Sequence, residues 1–174
     1  MKTIKIEIPD NKEIIWKDDN TLAVVDSDIT GRVKTFKDAL NELGDKHPLV
    51  IDYNSNIVKA SKNLIAYLRL RIIIAALNEG WEPKFEKGEV RYFPWFCFYT
   101  KKQYDKLEGI EKRSCVLCSN NALNTFYGFA YYYMGISASY SSANKCSRHA
   151  FKTRKLAEYA GKQFTQEYFD YLIS

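Results

Sequence analysis

The chain has 174 residues, 46% of them hydrophobic and 27% charged, and a net charge of +5 at pH 7. That balance is globular, and a chain this long buries about 70% of its unfolded surface on folding, so neither a disulfide nor a metal is needed for stability. Disordered, collagen-like, coiled-coil and disulfide-scaffold chains are excluded. The longest nearly uncharged apolar run, 126–136, is too short to cross a bilayer, and no apolar stretch follows Lys2 and Lys5 as a secretory leader requires.

Ile4, Ile6 and Ile8 alternate with Lys5 and Glu7, the period of a half-buried strand, which Pro9-Asp10-Asn11 then turns. Glu13 to Trp16 and Thr21 to Val25 read as two further strands about a turn at 17–20, so residues 1–28 are expected to form a small meander. Residues 35–80 read as helical. Thr35 and Asp38 have the spacing of a capping box, and Gly44 that of a helix stop. A longer helix starts near Ser61 and ends at Gly80. Its part from Ile72 to Leu77 is apolar all round, which marks it as the buried central helix, with Arg69 and Arg71 snorkelling to its rim.

The next run carries six aromatic residues in the eight positions 92–99, too dense for a surface loop, with Cys97 as a small core residue among them. Pro94 has no N–H to give a ladder, so an edge strand or a bulge is expected there. Thr100 then caps a short helix through Leu107, stopped by Gly109. The last predicted element is one helix from Thr153 to Leu172, with Leu156, Ala160, Phe164, Tyr168 and Leu172 as a stripe at i+4 spacing. The expected fold is a single α+β domain: a buried central helix and a C-terminal helix against a mostly antiparallel sheet, with residues 90–174 supplying the sheet and that last helix.

From Ser114 to Asn144, 31 consecutive residues carry no charge, and 19 of them are Ser, Asn, Tyr or Ala. Tyrosine offers large contact area at low entropic cost, and Ser and Asn offer adaptable hydrogen bonds. Tyr131, Tyr132, Tyr133, Tyr140, Ser142 and Asn144 are therefore the candidate ligand-binding residues. Strand alternation puts Tyr131 and Tyr133 on one face and Tyr132 on the other. The competing reading is a β-rich core with the rings buried and the hydroxyls at the surface.

No acid lies between Lys112 and Ala157, while that segment holds seven Lys or Arg residues. The rim from Lys145 to Lys155, with Arg148, Lys152 and Arg154, is the alternative site, one that would hold nucleic acid through its phosphates. Cys115 and Cys118, then 27 residues, then Cys146 and His149 have a spacing that three thiolates and an imidazole could use to bind zinc. Val116 and Leu117 favour a strand over the tight turn of a zinc knuckle, so free thiols are expected, with no metal and no cofactor. His47 precedes Pro48 in an expected loop. No glycine-rich phosphate loop, nucleophile elbow or HExxH run is present, and Asp18, Asp19, Asp26 and Asp28 fall in turn-like stretches. No catalytic residue is assigned, and enzyme activity is not expected.

The runs Leu77-Asn78-Glu79-Gly80-Trp81-Glu82-Pro83 and Phe93-Pro94-Trp95-Phe96, with the run from Ser147 to Phe164, resemble a family of proteins common in phages and prophages of gut Bacteroidetes. That family has no assigned activity. The resemblance covers nearly the whole chain and implies a bacterial or phage origin, in the host cytoplasm or on the virion. The family usually has leucine where His149 stands. A compositional similarity links Ser119-Asn120-Asn121-Ala122, through to Ser147-Arg148-His149-Ala150-Phe151, with the end of C-type-lectin-like folds, which display variable ligand-binding loops. The expected function is that of a non-enzymatic phage or prophage accessory protein that binds a protein or glycan partner through its neutral Tyr/Ser/Asn surface. The alternative is a nucleic-acid-associated module.

Overall fold

The computed structural model describes residues 6–17, 20–84, 86, 88–117, 127–138 and 149–173. The fold is α+β. Strands β1 (Lys12–Trp16) and β2 (Leu22–Asp26) pair antiparallel as a hairpin, Ile14 opposite Val24. The third strand of the expected meander is absent among the described residues: residues 6–9 join no strand, and Ile6 and Ile8 are exposed. A period-2 pattern makes a strand only where a neighbouring ladder and a surface to cover are on offer, and neither reaches Ile6 and Ile8.

Helices α1 (Ile29–Arg32), α2 (Phe36–Leu43), α3 (Pro48–Asn56) and α4 (Lys62–Asn78) follow. The ends of α2 are those the sequence predicts. Thr35 N donates to the Asp38 carboxylate at 2.8 Å, the Thr35 hydroxyl accepts from Asp38 N at 3.2 Å, and Gly44 at φ 75° ends the helix. His47 closes the loop at 44–47, as expected, and stands as the N-cap of α3. The imidazole Nδ1 accepts from Leu49 N at 3.2 Å and so caps the helix, and Pro48 stands at its first turn, where a missing N–H breaks no bond.

Helix α4 is the central helix. Ile72, Ile73 and Ile74 point to different sides of it, and all three are buried. Helices α2 and α3 pack on it, as does α8. At its C-terminal end Glu79 adopts the left-handed conformation, φ 49°. The buried Asn78 reaches outward there: its Nδ2 donates to the Ala150 carbonyl at 2.9 Å, and its Oδ1 accepts from Lys152 N at 3.1 Å. Arg69 and Arg71 are both half-buried rather than free. Arg69 lies 4.0 Å over the Phe36 ring and 3.5 Å from Glu167, and Arg71 Nη1 donates to the Tyr67 hydroxyl at 3.0 Å.

Strands β3 (Val90–Tyr99), β4 (Val116–Leu117) and β5 (Gly128–Ala138) form an antiparallel sheet in the order β3-β5-β4, with α5 (Lys101–Asp105) and α6 (Gly109–Arg113) between the first two. Both consequences expected of Pro94 are present: β3 is an edge strand, and the register shifts between Trp95 and Phe96. Part of the outer edge is covered by Phe151, which exchanges backbone hydrogen bonds with Tyr92 at 2.7 and 3.2 Å.

Helices α7 (Arg154–Gln163) and α8 (Thr165–Ile173) lie against the sheet. The single C-terminal helix expected from the stripe is therefore two. Phe164 leaves helical geometry (φ −113°, ψ 31°), and the Thr165 hydroxyl donates to the Gly161 carbonyl at 2.7 Å, a back-bond of the kind that bends helices. The bend keeps Leu156, Ala160, Phe164 and Tyr168 buried, with the Tyr168 ring 4.6 Å from that of Phe96, but leaves Leu172, last of the stripe, exposed.

Because Ile73 is wholly enclosed, Ile73→Ala removes packed methyl groups and leaves a cavity. Urea unfolding should show a loss of about 2–5 kcal/mol; a loss under about half a kilocalorie would mean the site is as tolerant as an exposed one.

Candidate functional site

The sheet has two unlike faces. On the inner one, Phe96 and Phe129 stack at 4.9 Å and meet Tyr168 and Phe169 of α8. On the outer one, Phe93 and Trp95 of β3 stand beside Tyr133 and Gly135 of β5. Gly135 is required there, since a Cβ in its place would overlap the Trp95 indole and the Phe93 ring. The indole, resting over bare backbone, stacks on Tyr133 with centroids 5.5 Å apart and planes 14° apart, and Tyr133 meets Tyr132 edge-on at 5.2 Å. Trp95 and Tyr133 are each 45% exposed and Tyr132 64%. Three large uncharged rings, in contact in the order Trp95, Tyr133, Tyr132, thus face solvent.

The register explains which tyrosines reach this face. Trp95 pairs with Tyr133 and Phe96 with Tyr131, so Tyr132 is the extra residue of a bulge. The expected alternation, with Tyr131 and Tyr133 on one face, is corrected by that residue. Tyr131 turns inward, over Gly161 of α7 and against Pro94, with its ring edge-on to Phe96 at 6.2 Å. Burial pushes its phenol pKa up. Tyr132 and Tyr133 adjoin each other instead. Trp95 was missed as a site residue because the sequence shows it only as one of six clustered aromatics; Pro94 beside it announced the bulge but not its effect on facing. Tyr140, Ser142 and Asn144 lie outside the described residues.

Of the three cations in the described part of the basic rim, Lys152, Arg154 and Lys155, two are paired with carboxylates. Lys152 Nζ lies 2.8 Å from Glu79, and Lys155 pairs with Asp28. The hydrogen bond from Lys152 holds the Glu79 carboxyl below its ordinary range, and that from Lys155, helped by Thr30, holds Asp28 at about 2. Two of the cations meant for phosphate are spent on carboxylates distant in sequence. Lys145 and Arg148 lie outside the described residues.

Cys115 and His149 have different surroundings. Cys115 is half-buried, with its thiol 3.4 Å from the Glu111 carbonyl. His149, 4% exposed, lies between the rings of Tyr67 and Tyr171, 5.6 and 5.1 Å away. Burial, reinforced by the Arg71 charge, lowers its pKa to about 4, so the ring is neutral at pH 7. Cys118 and Cys146 lie outside the described residues, and among those described no group of three or more His, Cys, Asp or Glu is placed to hold a metal.

A feature with no counterpart in the sequence reading is a cleft of about 800 Å³ beside the C-terminal half of α4. One stripe of α4, residues Arg71, Ile74, Ala75 and Asn78, forms a wall, with Leu43, His47 to Leu49 and Trp81 to Pro83 contributing others.

Adding a methyl at Gly135 tests the outer face without removing a ring. Gly135→Ala should displace the indole, cost about 1–3 kcal/mol as overpacking does, and collapse the near-ultraviolet circular dichroism of the Trp95–Tyr133 stack; an unchanged spectrum would place the indole elsewhere. His149 makes stability pH-dependent. Its folded pKa, about 4, lies below the ordinary histidine value of 6.5, so the unfolded chain takes up the proton first. The stability tied to the neutral ring is complete above pH 6.5 and is lost as pH falls toward 4, by about 3 kcal/mol in all. His149→Phe should flatten this part of the stability–pH curve; an identical slope in both proteins would contradict the assignment.

Comparison of the chain with protein-family models, with curated proteins and with solved structures finds no match, so a functional reading rests on the geometry of the chain itself.

Proposed function

We propose that this chain is a non-enzymatic binding module that captures a protein partner on the aromatic outer face of its sheet, in the phage or prophage setting implied by the resemblance of its sequence. The observation that carries the reading is the touching set Trp95, Tyr133 and Tyr132, about half or more exposed and held in place by the bulge and by Gly135. Leaving such rings in water forgoes burial worth roughly 25 cal/mol per Å² of apolar surface. Trp and Tyr are the residues around which interface hot spots form. Because these rings are fixed before the partner arrives, little side-chain entropy remains to be lost on binding. Tyr132 and Tyr133 of the original candidates stay in this reading, and Trp95 joins them.

Base stacking on the same rings, the nucleic-acid alternative, is less well supported. Stacking platforms for single strands work beside a groove of unpaired cations, and Lys152 and Lys155 are already engaged.

Affinity capture from extracts of the bacterial host, followed by mass spectrometry, tests the proposal. Trp95→Ala and Tyr132→Ala should each weaken capture of the wild-type partner by about thirtyfold, the mark of a hot spot worth about 2 kcal/mol, while Arg154→Ala should leave it unchanged. Equal recovery by all four proteins would sink the reading. Loss of a nucleic acid with Arg154→Ala would favour the alternative, and release of the partner by free sugars would replace protein with glycan.

A further inference from the structure

The cleft beside α4 is separate from the outer sheet face and calls for a different occupant. At about 800 Å³ it has the size of a small-molecule site, far above the voids that packing leaves. Its wall is mostly apolar, with Ile74, Ala75 and Leu49 among the side chains, and it also carries two arginines and the carboxylates of Glu42, Glu79 and Glu82. These arginines differ. Arg32 is matched within the protein by Glu13, Glu42 and Glu79, at 2.7, 3.0 and 3.2 Å. Arg71 has no carboxylate partner among the described residues; its guanidinium lies 5.8 Å over the Tyr67 ring and its Nη1 donates to the Tyr67 hydroxyl, which leaves most of its five N–H donors without a hydrogen bond.

Two neighbours in the same cleft add to this. Nδ1 of His47 accepts from Leu49 N, which leaves Nε2 as the ring's donor. Trp81 is half-buried and stacks on no other ring among the described residues. A planar guanidinium with spare donors, a second N–H donor and an unstacked indole, set in an apolar wall, match a molecule with an anionic end and a flat body.

We infer that this cleft binds a small organic anion, a carboxylate or phosphate ester carrying a ring, with its charged end on Arg71 and its ring against Trp81.

Titration of the full chain with benzoate, phenyl phosphate and the neutral benzyl alcohol, read by amide and indole NMR shifts, tests the inference. At least one of the anions should shift Leu49, Ala75 and Trp81 with a dissociation constant below about 1 mM and bind about tenfold or more tighter than benzyl alcohol, the factor expected of a charge-assisted pair; the tighter anion identifies the headgroup. Arg71→Gln should remove that preference and leave benzyl alcohol unaffected. Trp95→Ala should change nothing, which keeps this test apart from that of the outer face. Should Arg71→Gln fail to fold, the anion preference of the unaltered chain and an equal weakening of the anions and benzyl alcohol in Trp81→Ala decide instead. No saturable shift at these residues up to about 10 mM of either anion, equal affinity for benzyl alcohol, or an anion preference intact in a folded Arg71→Gln protein would overturn the inference.

Discussion

The carboxamide of Asn78 is the interaction on which the remaining architecture depends. A buried amide left unbonded costs about 1–3 kcal/mol, and both ends of this one are satisfied by the backbone of a segment 72 to 74 residues away. The pairing fixes Ala150 and Lys152 against the end of α4. Phe151 between them is thereby laid along the edge of β3, where it bridges Tyr92. Thr153 follows directly and caps α7, with its hydroxyl accepting from Leu156 N. A single side chain at the end of the central helix thus sets where the sheet edge is covered and where the inner helical layer begins.

Arg32 plays the corresponding part for the N-terminal hairpin. It bonds Glu13 of β1 and the Asp26 carbonyl of β2, while the same guanidinium holds Glu42 of α2 and Glu79 at the end of α4. A guanidinium so little exposed has to be surrounded by carboxylates to be tolerated. The half-exposed pairs at its periphery, Lys152–Glu79 and Lys155–Asp28, each contribute little stability. Their effect is on function: they engage two cations of a stretch that looks uniformly basic in the sequence, while Arg71 of the neighbouring cleft has no carboxylate partner among the described residues.

Two glycines shape the two faces of the sheet by the same means. Gly161 on α7 leaves room for the Tyr131 ring and Pro94, which lets helix and sheet approach closely; Gly135 on β5 leaves room for the Trp95 indole on the opposite face. The bulge at Tyr132 divides three consecutive tyrosines between these environments. One ring is half-buried over Gly161 of α7, and two join an exposed platform. Composition alone gives all three the same reading.

Features that depend on a few neighbouring residues were legible in the sequence. The capping box of Thr35 and Asp38, the helix stop at Gly44, the buried face of Ile72 to Ile74 and the edge-or-bulge consequence of Pro94 follow from chemistry within about four residues along the chain. Two of the three rings of the exposed platform, Tyr132 and Tyr133, were legible in the same way, as part of the tyrosine run of a neutral segment. The rest required partners remote in sequence. Ile6 and Ile8 have the pattern of a strand but find no ladder; the stripe ending at Leu172 has the pattern of one helix but is bent at Phe164 so that Tyr168 can meet Phe96. Lys155 meets Asp28 across 127 residues. Trp95 faces solvent because of the register between two strands more than thirty positions apart, as Trp95 opposite Tyr133 shows. Local propensity decided which segments became helix or strand. Long-range pairing, in which a one-residue bulge exchanges the faces of a strand, decided which side chains became core and which became surface.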